Sequence, residues 1–113
     1  MTIKTKQYRH LSALATLLHS FSDPTRLSII HMLSEEEARV ADLVDQLNFA
    51  QSTISAHISC LKECGLVEGR HEGRQIFYSL TSHNISHLLH DAELILEQTD
   101  QAVMSCPIFG DQS

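Results

Sequence analysis

Cys60 and Cys64 stand four residues apart in Ser59-Cys60-Leu61-Lys62-Glu63-Cys64, and a third cysteine, Cys106, lies near the C-terminus. On a helix, residues i and i+4 share a face one turn apart, so two thiolates at these positions can hold one ion between them. Thiolate is a soft ligand that selects thiophilic ions over magnesium or calcium. Three thiolates suit lead or trivalent arsenic; cadmium adds a fourth donor, and zinc needs one, such as a nearby histidine. The plainer alternatives are small buried apolar residues or redox-active thiols, with Cys106 joined to a helical thiol as a disulfide. Three is an odd number and a poor disulfide framework.

The second chemical stretch lies just upstream. Ser52, Thr53, Ser55, Ala56 and His57 give a polar helix face suited to DNA, and Gln51 either reads adenine or simply opens the helix. Hydroxyls near a helix N-terminus more often touch phosphate than specify bases. His57 has the alternative of hydrogen bonding inside the domain. Arg70 and Arg74 flank a turn and can reach phosphate or the minor groove, or else pair with Glu68 and Glu72. His83, His87 and His90 cluster at helical spacing; they are either a solvated group or a second metal site. No Ser-His-Asp order, phosphate loop or paired glycosidase carboxylates appear, so an enzyme is the least supported class.

Positioning these residues takes a specific set of elements. Tyr8, Leu11, Leu14, Ala15, Leu17 and Leu18 predict a first helix over 6–19. Ser22-Asp23-Pro24 is a helix start, an acid cap followed by proline at the first helical position. Leu27, Ile29, Ile30, Met32 and Leu33 form the apolar side of that second helix, and Glu35-Glu36-Glu37 a solvated acidic approach to the next. Val40, Leu43, Val44 and Leu47 give a short third helix. Asn48-Phe49-Ala50-Gln51 is a tight turn, and Gln51 or Ser52 opens a fourth helix that Gly65 ends. Two helices joined by so short a turn make a helix-turn-helix unit, whose second helix is the reader.

Leu66-Val67 begins a strand and Gln75–Leu80 forms another, with Gly69, Gly73 and the charges between them as the hairpin tip. Ser82 caps a last helix striped by Ile85, Leu88, Leu89, Ala92, Ile95 and Leu96. The expected class is mainly α with a small β-hairpin, a winged helix-turn-helix. Residues 1–100 form the DNA-binding and dimerisation domain and residues 101–113 a tail carrying Cys106. The stripes of the first and last helices exceed what this small core covers, which predicts a homodimer with its two readers about one DNA turn apart.

The 113 residues fit one domain, with 42% apolar content and a formal net charge of −6. Residues 81–113 hold five acids and no Lys or Arg, so the acidic surplus lies away from the proposed reader. Backbone N–H groups, hydroxyls and two half-sites must then carry much of the DNA affinity. No apolar run is of membrane-spanning length, and the N-terminus lacks a signal-type stretch, so the expected location is cytoplasmic, with no membrane partner.

Asp23-Pro24-Thr25-Arg26-Leu27 resembles the DPTR-L signature of the ArsR/SmtB metal-sensing repressors, and Ser52-Thr53-Ile54-Ser55-Ala56-His57-Ile58 resembles their reading helix. Cys64-Gly65-Leu66-Val67, Glu72-Gly73-Arg74 and Tyr78-Ser79-Leu80 resemble the family's helix end and wing. The Ser59–Val67 stretch is similar to the cadmium- and lead-sensing CmtR branch, which takes two thiolates from the reading helix and a third from the tail. The resemblance implies Cys60, Cys64 and Cys106 as ligands, with Cys106 crossing from the partner subunit. It also implies a dimeric repressor that leaves its operator when cadmium or lead binds, with arsenic and zinc as the alternative effectors. Two further family sites are absent: Ala38-Arg39-Val40-Ala41-Asp42 holds no C-x-C cluster, and Ser82-His83-Asn84 lacks the D-x-H of the last-helix site. A thiol-redox repressor and a protein-interaction module that has lost DNA binding are the rival readings.

Overall fold

The computed structural model describes residues 5–99. The order is α1 (Thr5–His19), α2 (Pro24–Glu35), α3 (Val40–Leu47), α4 (Gln51–Glu63), β1 (Val67–Glu72), β2 (Gln75–Leu80) and α5 (His83–Thr99). The expected tail, 101–113, lies outside the described residues.

Local chemistry sets most boundaries. Asp23 caps α2 by accepting the Arg26 N–H at 3.0 Å, with Pro24 in the first turn. Asn48 ends α3 in the left-handed region, at φ 60°, and turns the chain toward α4 within three residues. Gly65, at φ 79°, ends the fourth helix, where any side chain would be strained. Ser82 accepts the Asn84 N–H at 3.1 Å at the start of α5.

The core gathers Ile29, Ile30 and Leu33 of α2, Leu43 of α3, Ile54, Ile58 and Leu61 of α4, Val67 at the wing base and Ile85 of α5. The strands pair antiparallel, from Val67 opposite Leu80 to Glu72 opposite Gln75. Ala38 adds a bridge to Tyr78, with two backbone hydrogen bonds of 3.0 and 2.8 Å, so the wing is tied to the segment before α3.

One expectation changes. Gly69 is not part of the hairpin tip but lies mid-strand, opposite Tyr78. A Cβ there would sit 3.0 Å from Ile76 Cγ2 and 3.2 Å from the Tyr78 ring, so glycine answers close packing rather than a turn. The tip is only Gly73-Arg74, with Gly73 at φ 64°.

The α1 stripe stays outside the core. Tyr8, Leu11, Leu14, Leu17 and Leu18 are exposed, as are Leu88, Leu94, Ile95 and Leu96 of α5. An apolar groove of about 480 Å³ runs between α1, α2 and α5, lined by Leu18, Phe21, Leu27, Leu88, Leu89 and Leu96 among others.

Candidate nucleic-acid interface and thiol pair

Helices α3 and α4 build the helix-turn-helix unit, and α4 shows one polar face. Gln51, Ser52, Ser55 and Ala56 are exposed and Thr53 is half-buried. Ser59 and Lys62, not anticipated from the sequence, continue that face; their spacing, four residues beyond Ser55 and then three more, is the signal that could have found them. Ala50 stands at the N-cap, and no side chain caps the helix start. The first-turn N–H groups therefore open toward the side where Gln51 and Ser52 stand, an arrangement suited to phosphate.

His57 is different. Arg26 donates from Nε to His57 Nδ1 at 3.3 Å, and His57 Nε2 lies 3.8 Å from an Asp23 oxygen. Its side chain is 23% exposed. The imidazole is engaged inside the domain, the alternative left open by the sequence.

The two wing arginines also part company. Arg74 is exposed at the tip and has no hydrogen bond or ion pair among the described residues. Arg70 bonds Glu37 through Nε and Nη2 and Glu72 through Nη1, the latter at 2.7 Å. Bonds to Glu37 and then Glu72 raise its pKa above the ordinary arginine value. Arg70 lies 5.1 Å over the Phe77 ring and Arg39 5.8 Å over it. Glu68 takes no part in these pairs; Glu37, read from sequence as part of a solvated run, does.

At the start of α3, Arg39 and Asp42 form a bidentate pair of 3.0 and 2.8 Å, with the Arg39 N–H also bonding Asp42 at 2.9 Å. Those side-chain and backbone bonds hold the Asp42 carboxyl down to about 2. The segment where the resemblance looked for a C-x-C cluster thus serves as a helix cap.

Cys60 is half-buried on α4, and Cys64 is exposed at its C-cap, its N–H bonding Cys60 O at 3.0 Å. Ser20 Oγ donates to Cys64 Sγ at 3.9 Å. Cys106 lies outside the described residues. Among the described residues no group of three His, Cys, Asp or Glu is placed to hold a metal ion, and His83, His87 and His90 are exposed along α5. Two soft donors on one helix fit a thiophilic ion; any third donor must come from elsewhere.

The family profile described as bacterial regulatory protein, arsR family, matches residues 23–69. The HTH-type transcriptional regulator CmtR of Mycobacterium bovis is 35% identical over 89 residues, 79% of this chain and 75% of that protein. The chain belongs to the arsR family. The HTH-type transcriptional repressor SmtB of Mycobacterium tuberculosis is 37% identical over 82 residues, 73% of this chain; the match spans 61% of that repressor's length. A homodimeric winged helix-turn-helix DNA-binding domain from Mycobacterium bovis aligns with TM-score 0.76 at 22% identity, over 90% of this chain and 94% of that one. That likeness establishes the arsR-family chain as a winged helix-turn-helix. The family and fold are those of DNA-binding regulators and not of enzymes. No helix among the described residues is long and apolar enough to cross a membrane.

Proposed function

We propose that this protein is a homodimeric repressor that holds operator DNA through α4 and the wing and releases it when a soft metal ion, cadmium or lead, binds Cys60 and Cys64. Support comes chiefly from one observation: the exposed polar face of α4 and the pair of thiols occupy the same 13-residue helix and its cap. A change at one end of so short a rod is felt at the other.

Each group has a role in that reading. The first-turn N–H groups of α4 and the hydroxyls of Ser52, Thr53 and Ser55 donate to phosphate, while the Gln51 amide can pair with an adenine edge. Arg74 reaches phosphate or the minor groove beside the reader. Arg70, already paired with Glu37 and Glu72, holds the wing at its angle and meets DNA only by exchanging a carboxylate for a phosphate. Cys60 and Cys64 supply two soft donors, and Cys106 is the proposed third, from the tail of the partner subunit. The ion supplies bonds to sulfur that join the end of α4 to that tail. The exposed stripes of α1 and α5 favour a dimer, because burying them against a second copy removes apolar surface from water.

Titrating the reduced protein with cadmium, lead, zinc and arsenite, with ultraviolet thiolate-to-metal bands and DNA anisotropy read together, tests the reading. The expected result is a saturating band and loss of DNA at the same equivalents. Bands without release, or release without bands, would refute it.

A further inference from the structure

Helix α4 leans on the corner between α1 and α2 at two places. Toward the middle of the helix, Arg26 donates to His57 Nδ1 at 3.3 Å and Asp23 lies 3.8 Å from His57 Nε2. At its end, Ser20 donates to Cys64 Sγ at 3.9 Å. Positions 57 and 64 are seven residues apart, two turns, and so lie on one side of the helix about 10 Å from each other. The corner is itself tightly wound: the N–H groups of Ser20, Phe21 and Ser22 bond back to Leu17, Leu18 and His19, each at 3.0 Å. Asp23 in addition caps α2. Residues 20–26 thus touch the proposed reader near its middle and at its thiol end.

The chemistry at His57 is one-sided. A guanidinium has donors only, so Nδ1 must be the bare nitrogen of the ring, and the ring proton sits on Nε2, facing the Asp23 carboxylate. With Nδ1 taken by Arg26 and the ring drawn inward beside Asp23, the imidazole is turned toward the domain rather than toward a base edge. Ser20 is the buried polar side chain of the corner, and its other acceptor is the Thr16 carbonyl at 3.5 Å. A Cys64 sulfur that spends its lone pairs elsewhere takes away one of the two acceptors of the Ser20 hydroxyl and changes how the corner meets the helix end.

We infer that the Ser20–Arg26 corner sets the pose of the reading helix, that His57 is its positioning residue rather than a base reader, and that Cys64 gives a thiol ligand purchase on the same corner. Only the last part rests on the proposed thiol-gated release. Arg26 and Asp23 orient the reader in the free protein. Cys64 connects the far end of the same contact to whatever binds the thiols.

The test uses the reduced full chain and a duplex selected from random sequence by the wild-type protein. In His57→Asn the amide oxygen falls near Nδ1 and can still accept from Arg26; in His57→Gln it falls near Nε2 and cannot. His57→Asn should bind the duplex within about twofold of wild type, and His57→Gln about tenfold more weakly with unchanged base preference, the loss expected for one missing interior hydrogen bond. Thermal melts confirm that both variants fold. Equal affinity of His57→Gln and wild type, or a changed base preference in His57→Asn, would overturn the positioning role. For the second part, Ser20→Ala should show the wild-type cadmium–thiolate band but a cadmium-induced fall in DNA affinity about fivefold smaller, within the range of known coupling changes. A full wild-type response in Ser20→Ala would overturn the link through Cys64. If wild type keeps its DNA in saturating cadmium, the thiol reading and the Cys64 link fail together, and the His57 pair still decides the positioning role.

Discussion

Arg70 and Glu37 stand 33 residues apart in the chain, yet their side chains form an ion pair that fastens the wing to the segment before α3. The Ala38–Tyr78 backbone bridge lies beside it, and the Phe77 ring lies under Arg70. Charge, backbone and ring all secure the middle of the hairpin, while its tip, Gly73-Arg74, is left open.

Glu37→Gln should therefore loosen the wing without unfolding the domain. Exposed ion pairs add little to global stability, so the melting temperature should change little. Hydrogen exchange at the Ala38 and Tyr78 amides should speed up, and added salt should narrow the difference from wild type. Unchanged exchange at those two amides would show that the pair does not hold the wing.

Arg74→Ala removes the one wing arginine that is free among the described residues. DNA binding should weaken by a similar factor on every duplex. The slope of log affinity against log salt should flatten by about one unit, as for a single lost phosphate contact. A loss confined to one sequence would instead mark Arg74 as a base reader.

Cys60→Ser and Cys64→Ser each remove a soft donor from outside the polar face of α4. Both should keep DNA affinity within about threefold, the span of a peripheral change below 1 kcal/mol, and lose cadmium-induced release. Truncation after Gln101 should leave a weaker, two-sulfur ultraviolet band and DNA that no longer dissociates. Release at wild-type cadmium concentrations in either serine variant would show that the helical pair is not the sensor.

Leu14→Glu combined with Ile95→Glu places charge on the two exposed stripes. Sedimentation should show a monomer, and DNA affinity should drop by orders of magnitude because two half-sites no longer act together. A dimer that survives both changes would place the interface elsewhere.

Asp42 carries the pH prediction. Its carboxyl is held down to about 2 by Arg39, against 3.8 ordinarily. A group lowered on folding contributes stability above its unfolded pKa and loses it as pH falls toward the folded value. The contribution should be present at pH 5, and fade between about pH 4 and 2. Asp42→Asn should lower the denaturant midpoint at pH 7 by more than at pH 2.5; equal losses at the two pH values would remove Asp42 from the acid response.

What the chain determined by itself was whatever depends on near neighbours. Asp23-Pro24 starts a helix because the cap and the fixed proline φ act within one turn, and Gly65 stops one because its αL conformation is local. Periodicity likewise exposed the stripes of α1 and α5, the polar face of α4 and the Cys60–Cys64 spacing. Only the tertiary structure decided which polar groups are free. His57 meets Arg26 across 31 residues and Arg70 meets Glu37 across 33. The sequence left a DNA contact and an internal pairing open for both, because one strand of sequence shows a charge or a ring but not the partner folded against it. Gly69 was read as a turn for the same reason: its neighbour Tyr78 arrives from the opposite strand, and the close approach that requires glycine exists only once the two strands pair.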